Sequence, residues 1–243
     1  MFGVSVLGSE ADNFRLVIDT DADFTANATT LTADSYSTTT DIVSFDAVNL
    51  ADGNYFTLGL VNNILSVDIV NASGIPINNP SIDLGVVGFS LVAQTSTGIL
   101  GTDSEKIRIS NSTAGATWTL SIAASSTEAL WTSASSTYDF NDGAADAGDG
   151  TDDDSVGGQL TIDPYEATLT PQSGCLATGI SKGTASSFSE VGGVNSITIA
   201  NSDASANTDC VWDLTDIDLS QTIPRVQTPG SYQLDLTLSI IAS

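Results

Sequence analysis

The chain has 243 residues, with 30 Asp or Glu, five Lys or Arg and no His, for a net charge of −25 at pH 7. Such a surface repels nucleic acid and anionic membranes and attracts divalent cations. Without histidine, Ser-His-Asp and Cys-His catalytic arrangements are excluded.

Hydrophobic residues make up 41% of the chain, enough to bury a core, so a disordered acidic polymer is excluded as well. Val, Ile, Thr and aromatics carry the apolar positions, which favours strands. Period-two alternation then predicts strands in chain order. FGVSVLG places Phe2, Val4 and Val6 on one face, and FRLVID (14–19), IVSFDAVNL (42–50), NYFTLGL (54–60) and ILSVDIV (64–70) follow. VVGFSLVAQ (86–94) reads as a buried strand, followed by EKIRIS (105–110) and ATWTLSIAA (116–124). STEALWTSA (126–134) is the one helical candidate. GGQLTID (157–163), EATLT (166–170) and NSITIA (195–200) come next. The last strand, in GSYQLDLTLSII (230–241), aligns Tyr232, Leu234, Leu236, Leu238 and Ile240 on one face.

This pattern predicts an all-β antiparallel β-sandwich, Ig-like or jelly-roll-like. The turn-rich stretch at 95–105 suggests two sandwiches, 1–104 and 105–243, with a single domain over 1–243 as the alternative. The last strand either closes its own sandwich or is donated to a neighbour; the apolar Phe2–Val6 row raises the same question. Neither carries the Lys or Pro that guards an edge against pairing. No window is long and apolar enough for a membrane span, and no secretion leader is read at the start, so an exported chain would be in a mature or recombinant form.

Cys175 and Cys210 lie 35 positions apart, with no CxxC and no histidine for zinc. A disulfide, and with it an oxidising compartment, is the first reading; two buried thiols is the second.

The segment 139–155, DFNDGAADAGDGTDDDS, holds seven aspartates in seventeen positions. Such charge is costly to gather unless cations intervene. Asp139, Asn141, Asp142, Asp146, Asp149, Asp152, Asp153 and Asp154 are therefore candidate calcium ligands, although no start point satisfies the EF-hand spacing. The other reading is a hydrated surface loop. A second run, DTDAD, places Asp19, Asp21 and Asp23 at alternate positions, with Thr30 where an EF-hand needs Glu; a solvated strand exit is its simpler reading. Asn27, Asn71 and Asn111 open N-glycosylation patterns of the kind a Ser/Thr-rich chain shows by chance. No paired carboxylates stand in a recognisable catalytic site, so no enzyme activity is expected.

Two Trp-x-Leu triplets occur, Trp118-Thr-Leu120 and Trp212-Asp-Leu214. With WTLSI in mid-chain and the terminal YQLDLTLSII, residues from about 105 onward resemble the Trp-x-Leu (WxL) cell-surface domain of bacteria. The resemblance implies an all-β module associated with peptidoglycan. The whole chain also resembles Ser/Thr/Asp-rich secreted bacterial surface proteins, which implies location rather than activity. The function expected is an extracellular structural protein that assembles with copies of itself into a filament or surface layer, by strand exchange and with calcium. A cell-wall or glycan-binding module is the alternative.

Overall fold

A computed structural model describes residues 14–21, 24, 28–37, 42–46, 48–60, 64–112, 115–127, 129–143 and 157–242. The fold is all-β, built of antiparallel sheets packed as a β-sandwich, and no helix occurs among the described residues. The chain divides into two compact units, Met1–Ile64 with Ser112–Ala114, and Leu65–Asn111 with Gly115–Ser243.

The first unit contains β1 (Phe14–Asp19), β2 (Thr29–Thr32), β3 (Ser35–Ser37), β4 (Ile42–Ser44) and β5 (Tyr55–Leu60). β1 is the middle strand of β2-β1-β5, while β3 and β4 pair with each other. FRLVID supplies β1 in full, with Ile18 and Asp19 its buried residues.

The second unit begins with β6 (Leu65–Val70), β7 (Gln94–Leu100), β8 (Lys106–Asn111), β9 (Trp118–Ala124), β10 (Leu130–Thr132), β11 (Thr137–Asp139) and β12 (Asn141–Asp142). It continues with β13 (Gly158–Asp163), β14 (Thr168–Pro171), β15 (Ile180–Lys182), β16 (Ser186–Ser187), β17 (Ile197–Ser202), β18 (Cys210–Thr215), β19 (Ile217–Ile223) and β20 (Leu236–Ala242). Three sheets carry this unit, in the orders β14-β18-β8-β6, β15-β17-β9-β20 and β12-β13-β19-β7. Alternation decides what each turns inward. Ile107 and Ile109 of β8, Trp118, Leu120 and Ile122 of β9, and Trp212 and Leu214 of β18 belong to one buried apolar cluster. At its centre the rings of Trp118 and Trp212 lie 6.1 Å apart at 51°. Trp212 Nε1 donates to the Leu176 carbonyl at 2.8 Å, whereas buried Trp118 Nε1 has no partner among the described residues.

Three local expectations change. VVGFSLVAQ is no strand: residues 86–93 run as coil, with Val86, Phe89, Leu91 and Val92 exposed. Val87, Phe89, Leu91 and Ala93 do alternate there, but no strand pairs with the segment among the described residues, and a local pattern does not make a strand without a partner. The turn-rich stretch beside it is β7, which pairs with β19 from Gln94↔Ile223 to Leu100↔Ile217. Ser96 and Leu100 point inward there, and the Ser96 hydroxyl donates to the Gly85 carbonyl. The stretch 95–105 thus joins β7 to β8 within the second unit. STEALWTSA is not helical either; it supplies β10, which pairs with β11 through Trp131↔Tyr138.

Candidate functional site

β20 lies at the end of its sheet, paired with β9 from Leu236↔Ala124 to Ala242↔Trp118. No named strand pairs with its other edge among the described residues. The inward row Leu234, Leu236, Leu238 and Ile240 packs against the core of its own unit. The last strand therefore closes the sheet it belongs to, and what it leaves over is one row of backbone groups. Phe2, Val4 and Val6 lie outside the described residues.

Beside β20, within the second unit, is a groove of about 510 Å³ walled by residues 80–84 and 231–236, with core residues Ile122, Leu160 and Leu219 reaching its lining. A second groove of about 460 Å³ shares Ile82, Leu84, Trp131 and Tyr232 with it and runs along Val86, Val87 and Phe89. The aromatic wall common to both is rigid. Trp131 stacks on Tyr138 at 5.9 Å and 13°, and Tyr138 meets Tyr232 edge-on at 4.9 Å. Trp131 Nε1 donates to Gln221 Oε1 at 2.8 Å, and Gln227 Nε2 donates to the Tyr232 hydroxyl at 2.8 Å. Burial pushes the Tyr138 phenol well above its usual range, and Tyr232 adds to the effect.

Around these grooves, residues 84–102 form a 19-residue run without a charged side chain. Its second part is β7, and its coil part is held by Gly85 N donating to Thr97 O at 2.8 Å, by the Ser96 hydroxyl on the Gly85 carbonyl, and by Val226 N donating to Ser90 O at 2.8 Å. Between and after them, four large apolar side chains face solvent. Periodicity misses this feature, because an alternating apolar run reads as a buried strand.

Of the proposed calcium ligands, Asp139, Asn141 and Asp142 are all buried, on β11 and β12. Asp139 Oδ1 accepts the amides of Phe140 at 2.6 Å and Asn141 at 3.2 Å. Asn141 Nδ2 donates to the Thr127 carbonyl at 3.0 Å, and Asn141 O accepts the Glu190 amide at 3.0 Å. All three are buried at the foot of the acidic segment, and the side chains of Asp139 and Asn141 are hydrogen-bonded to backbone groups. Asp146, Asp149, Asp152, Asp153 and Asp154 lie outside the described residues. Among the described residues no group of three or more His, Cys, Asp or Glu side chains is placed to hold a metal ion.

Cys175 and Cys210 form a disulfide with Cα atoms 5.6 Å apart, which settles the choice against free thiols. Trp118 and Trp212 are fully buried, so neither presents a ring to a sugar. Asn111 is buried in β8, and the Asn71 side-chain oxygen accepts the amides of Ser73 and Ile75. No helix among the described residues is long and apolar enough to cross a membrane. Comparison with known protein families, with curated proteins and with solved structures finds no match for this chain.

Proposed function

We propose that this chain is an extracellular structural subunit that assembles with copies of itself into a filament or surface layer. The supporting observation is the exposed apolar segment 86–92, set in the long uncharged run of a chain that carries −25. Two such chains repel wherever their acids face each other, and screening weakens this only beyond about 10 Å. They approach where charge is absent, and a contiguous exposed apolar patch is a docking surface. The open edge of β20 adds backbone groups that an incoming strand can pair with, as in strand addition, and the Phe2–Val6 row is a candidate donor. The disulfide suits an oxidising location outside the cell.

Calcium belongs to the same proposal. Cations bound by the acidic segment 139–154 would lower the repulsion between neighbouring copies. The test is negative-stain electron microscopy with light scattering, in calcium and in chelator. Ordered polymers that disappear in Val86→Asp/Phe89→Asp support the reading. Dispersed monomers of the unsubstituted chain in both conditions remove it. If those monomers sediment with cell wall, the glycan-binding alternative takes its place.

A further inference from the structure

We propose that Asn71 is the acceptor of an N-linked oligosaccharide, attached through Nδ2. Three Asn-x-Ser/Thr patterns stand in the chain, and composition gives no reason to prefer one of them. The structure separates them. Asn111 is 1% exposed, its Nδ2 donates to the Gly115 carbonyl at 3.2 Å, and its backbone is paired on both sides, with Cys210 of β18 and Leu65 of β6. A transferase cannot reach that nitrogen in the folded chain. Asn27 lies outside the described residues. Asn71-Ala72-Ser73 is different. It directly follows β6, in a turn where Ala72 and Ser73 are exposed.

The turn uses every polar group of Asn71 but one. The backbone amide donates to the Ile75 carbonyl at 2.9 Å, and the backbone carbonyl accepts the Gly74 amide at 2.8 Å. Oδ1 accepts the amides of Ser73 at 2.9 Å and Ile75 at 3.1 Å. Nδ2 makes no hydrogen bond among the described residues and is not buried. The Ser73 hydroxyl, the other half of the pattern, is exposed and makes none among the described residues either. The turn itself is docked, because Arg108 Nη1 donates to the Gly74 carbonyl at 3.4 Å and Val70 pairs with Pro76. Acceptor nitrogen and hydroxyl are thus presented together at the surface.

A carboxamide nitrogen is a poor nucleophile, since its lone pair is shared with the carbonyl. Two amides donating to Oδ1 favour negative charge on that oxygen, which eases loss of a proton from Nδ2. The nitrogen attacks the anomeric carbon of an oligosaccharide carried on a lipid diphosphate. The N–C bond forms as the C–O bond breaks, the diphosphate leaves with the electron pair, and the Nδ2 proton passes to a base of the transferase. The attached sugar is bulky and solubilising, and it would cover the neighbouring Ile75, which is 60% exposed. The proposal needs export, which the disulfide supports, but it does not need assembly.

The test is peptide mass spectrometry of the full chain isolated from the cells that make it, and of variants expressed in the same cells. Each is read before and after an amidase that cleaves the Asn–sugar bond. The peptide containing residues 71–73 should carry a sugar mass, and the amidase should remove it, leaving an aspartate in place of Asn71. The peptide containing Asn111 should be bare. Asn71→Gln and Ser73→Ala should each abolish the sugar. If Asn71→Gln does not fold, Ser73→Ala still reads the site, because it keeps Asn71 and both amides on its Oδ1. A bare 71–73 peptide in the unsubstituted chain overturns the proposal. So does a sugar that persists in Ser73→Ala, one that resists the amidase and is therefore held by a hydroxyl, or one found on Asn111 instead. A bare chain that still polymerises would overturn this proposal and leave the assembly reading standing.

Discussion

Arg108 of β8 and Asp213 of β18 form a two-pronged ion pair across adjacent strands, Nε to Oδ1 at 2.7 Å and Nη2 to Oδ2 at 2.9 Å. The Asp213 side chain is 3% exposed; Lys106 Nζ lies 3.9 Å from the same carboxylate, and Gln172 Nε2 donates to it at 2.9 Å. Two of the five basic residues in the chain thus serve one buried acid. Hydrogen bonding to Asp213 raises the Arg108 pKa further, so the guanidinium stays charged.

Removing one partner strands a buried charge. Asp213→Ala is expected to cost about 3–5 kcal/mol, read as a lower denaturant midpoint at unchanged slope. Arg108→Met with Asp213→Leu should recover part of that loss, because the guanidinium is no longer stranded, although Gln172 Nε2 still loses its acceptor. A double variant as unstable as Asp213→Ala would show that the pair is not the cause.

The disulfide closes a loop between positions 35 apart. Loop entropy predicts that replacing both cysteines by Ala lowers stability by about 3–4 kcal/mol. Urea unfolding of the oxidised chain and the double-Ala variant measures it. Equal midpoints would mean that the β14–β18 region gains nothing from the cross-link.

Tyr138 has an alkaline consequence. Its folded-state pKa is raised by burial, so the neutral phenol is favoured in the fold, and its contribution is intact below the ordinary value of about 10. Above that pH the unfolded chain ionises while the folded one resists, and stability falls as pH climbs toward the folded value. Absorbance at alkaline pH should show one tyrosine of the five titrating only as the far-ultraviolet circular dichroism collapses. Tyr138→Phe should make that collapse less steep. A fifth phenol that ionises in step with the others would contradict the burial.

Charge placed on β20 should act differently on its two sides. Leu236 is half-buried and packs on the core, so Leu236→Asp is expected to unfold the unit before it tells anything of assembly. Ile241 is exposed, and Ile241→Asp should leave the melting temperature within a few degrees while reducing polymer formation. Polymers that form unchanged with Ile241→Asp would take β20 out of the contact.

Strands with clean alternation were legible from sequence. FRLVID, YFTLGL, WTLSIAA and GQLTID lie where their pattern puts them, and in WTLSIAA and GQLTID one buried face leaves only one register open. Other strands were hidden by polar or non-local content. β7 is Gln, Ser, Thr and Gly as far as Ile99 and Leu100, and it becomes a strand through β19; β19 in turn buries Gln221, whose amide bonds the Asp139 carbonyl and the Trp131 indole. Of the acidic segment, the sequence conveyed the charge but not that Asp139 and Asp142 would be walled in. The Arg108–Asp213 pair joins residues 105 positions apart, a distance over which no local pattern speaks.

The foot of the acidic segment is a short ladder, Asn141↔Gln159 and Asp142↔Gly158. Gly158 has φ +145°, and a Cβ there would collide with the Asp139 carbonyl, so glycine lets the returning strand pass under β11. The two ends of residues 143–157 are therefore clasped by the sheet itself. Closing such a span costs only about 0.6 kcal/mol more for each doubling of its length. Changes in the length or composition of the sequence between these two ends should therefore leave the β12–β13 ladder and the register of β13 intact.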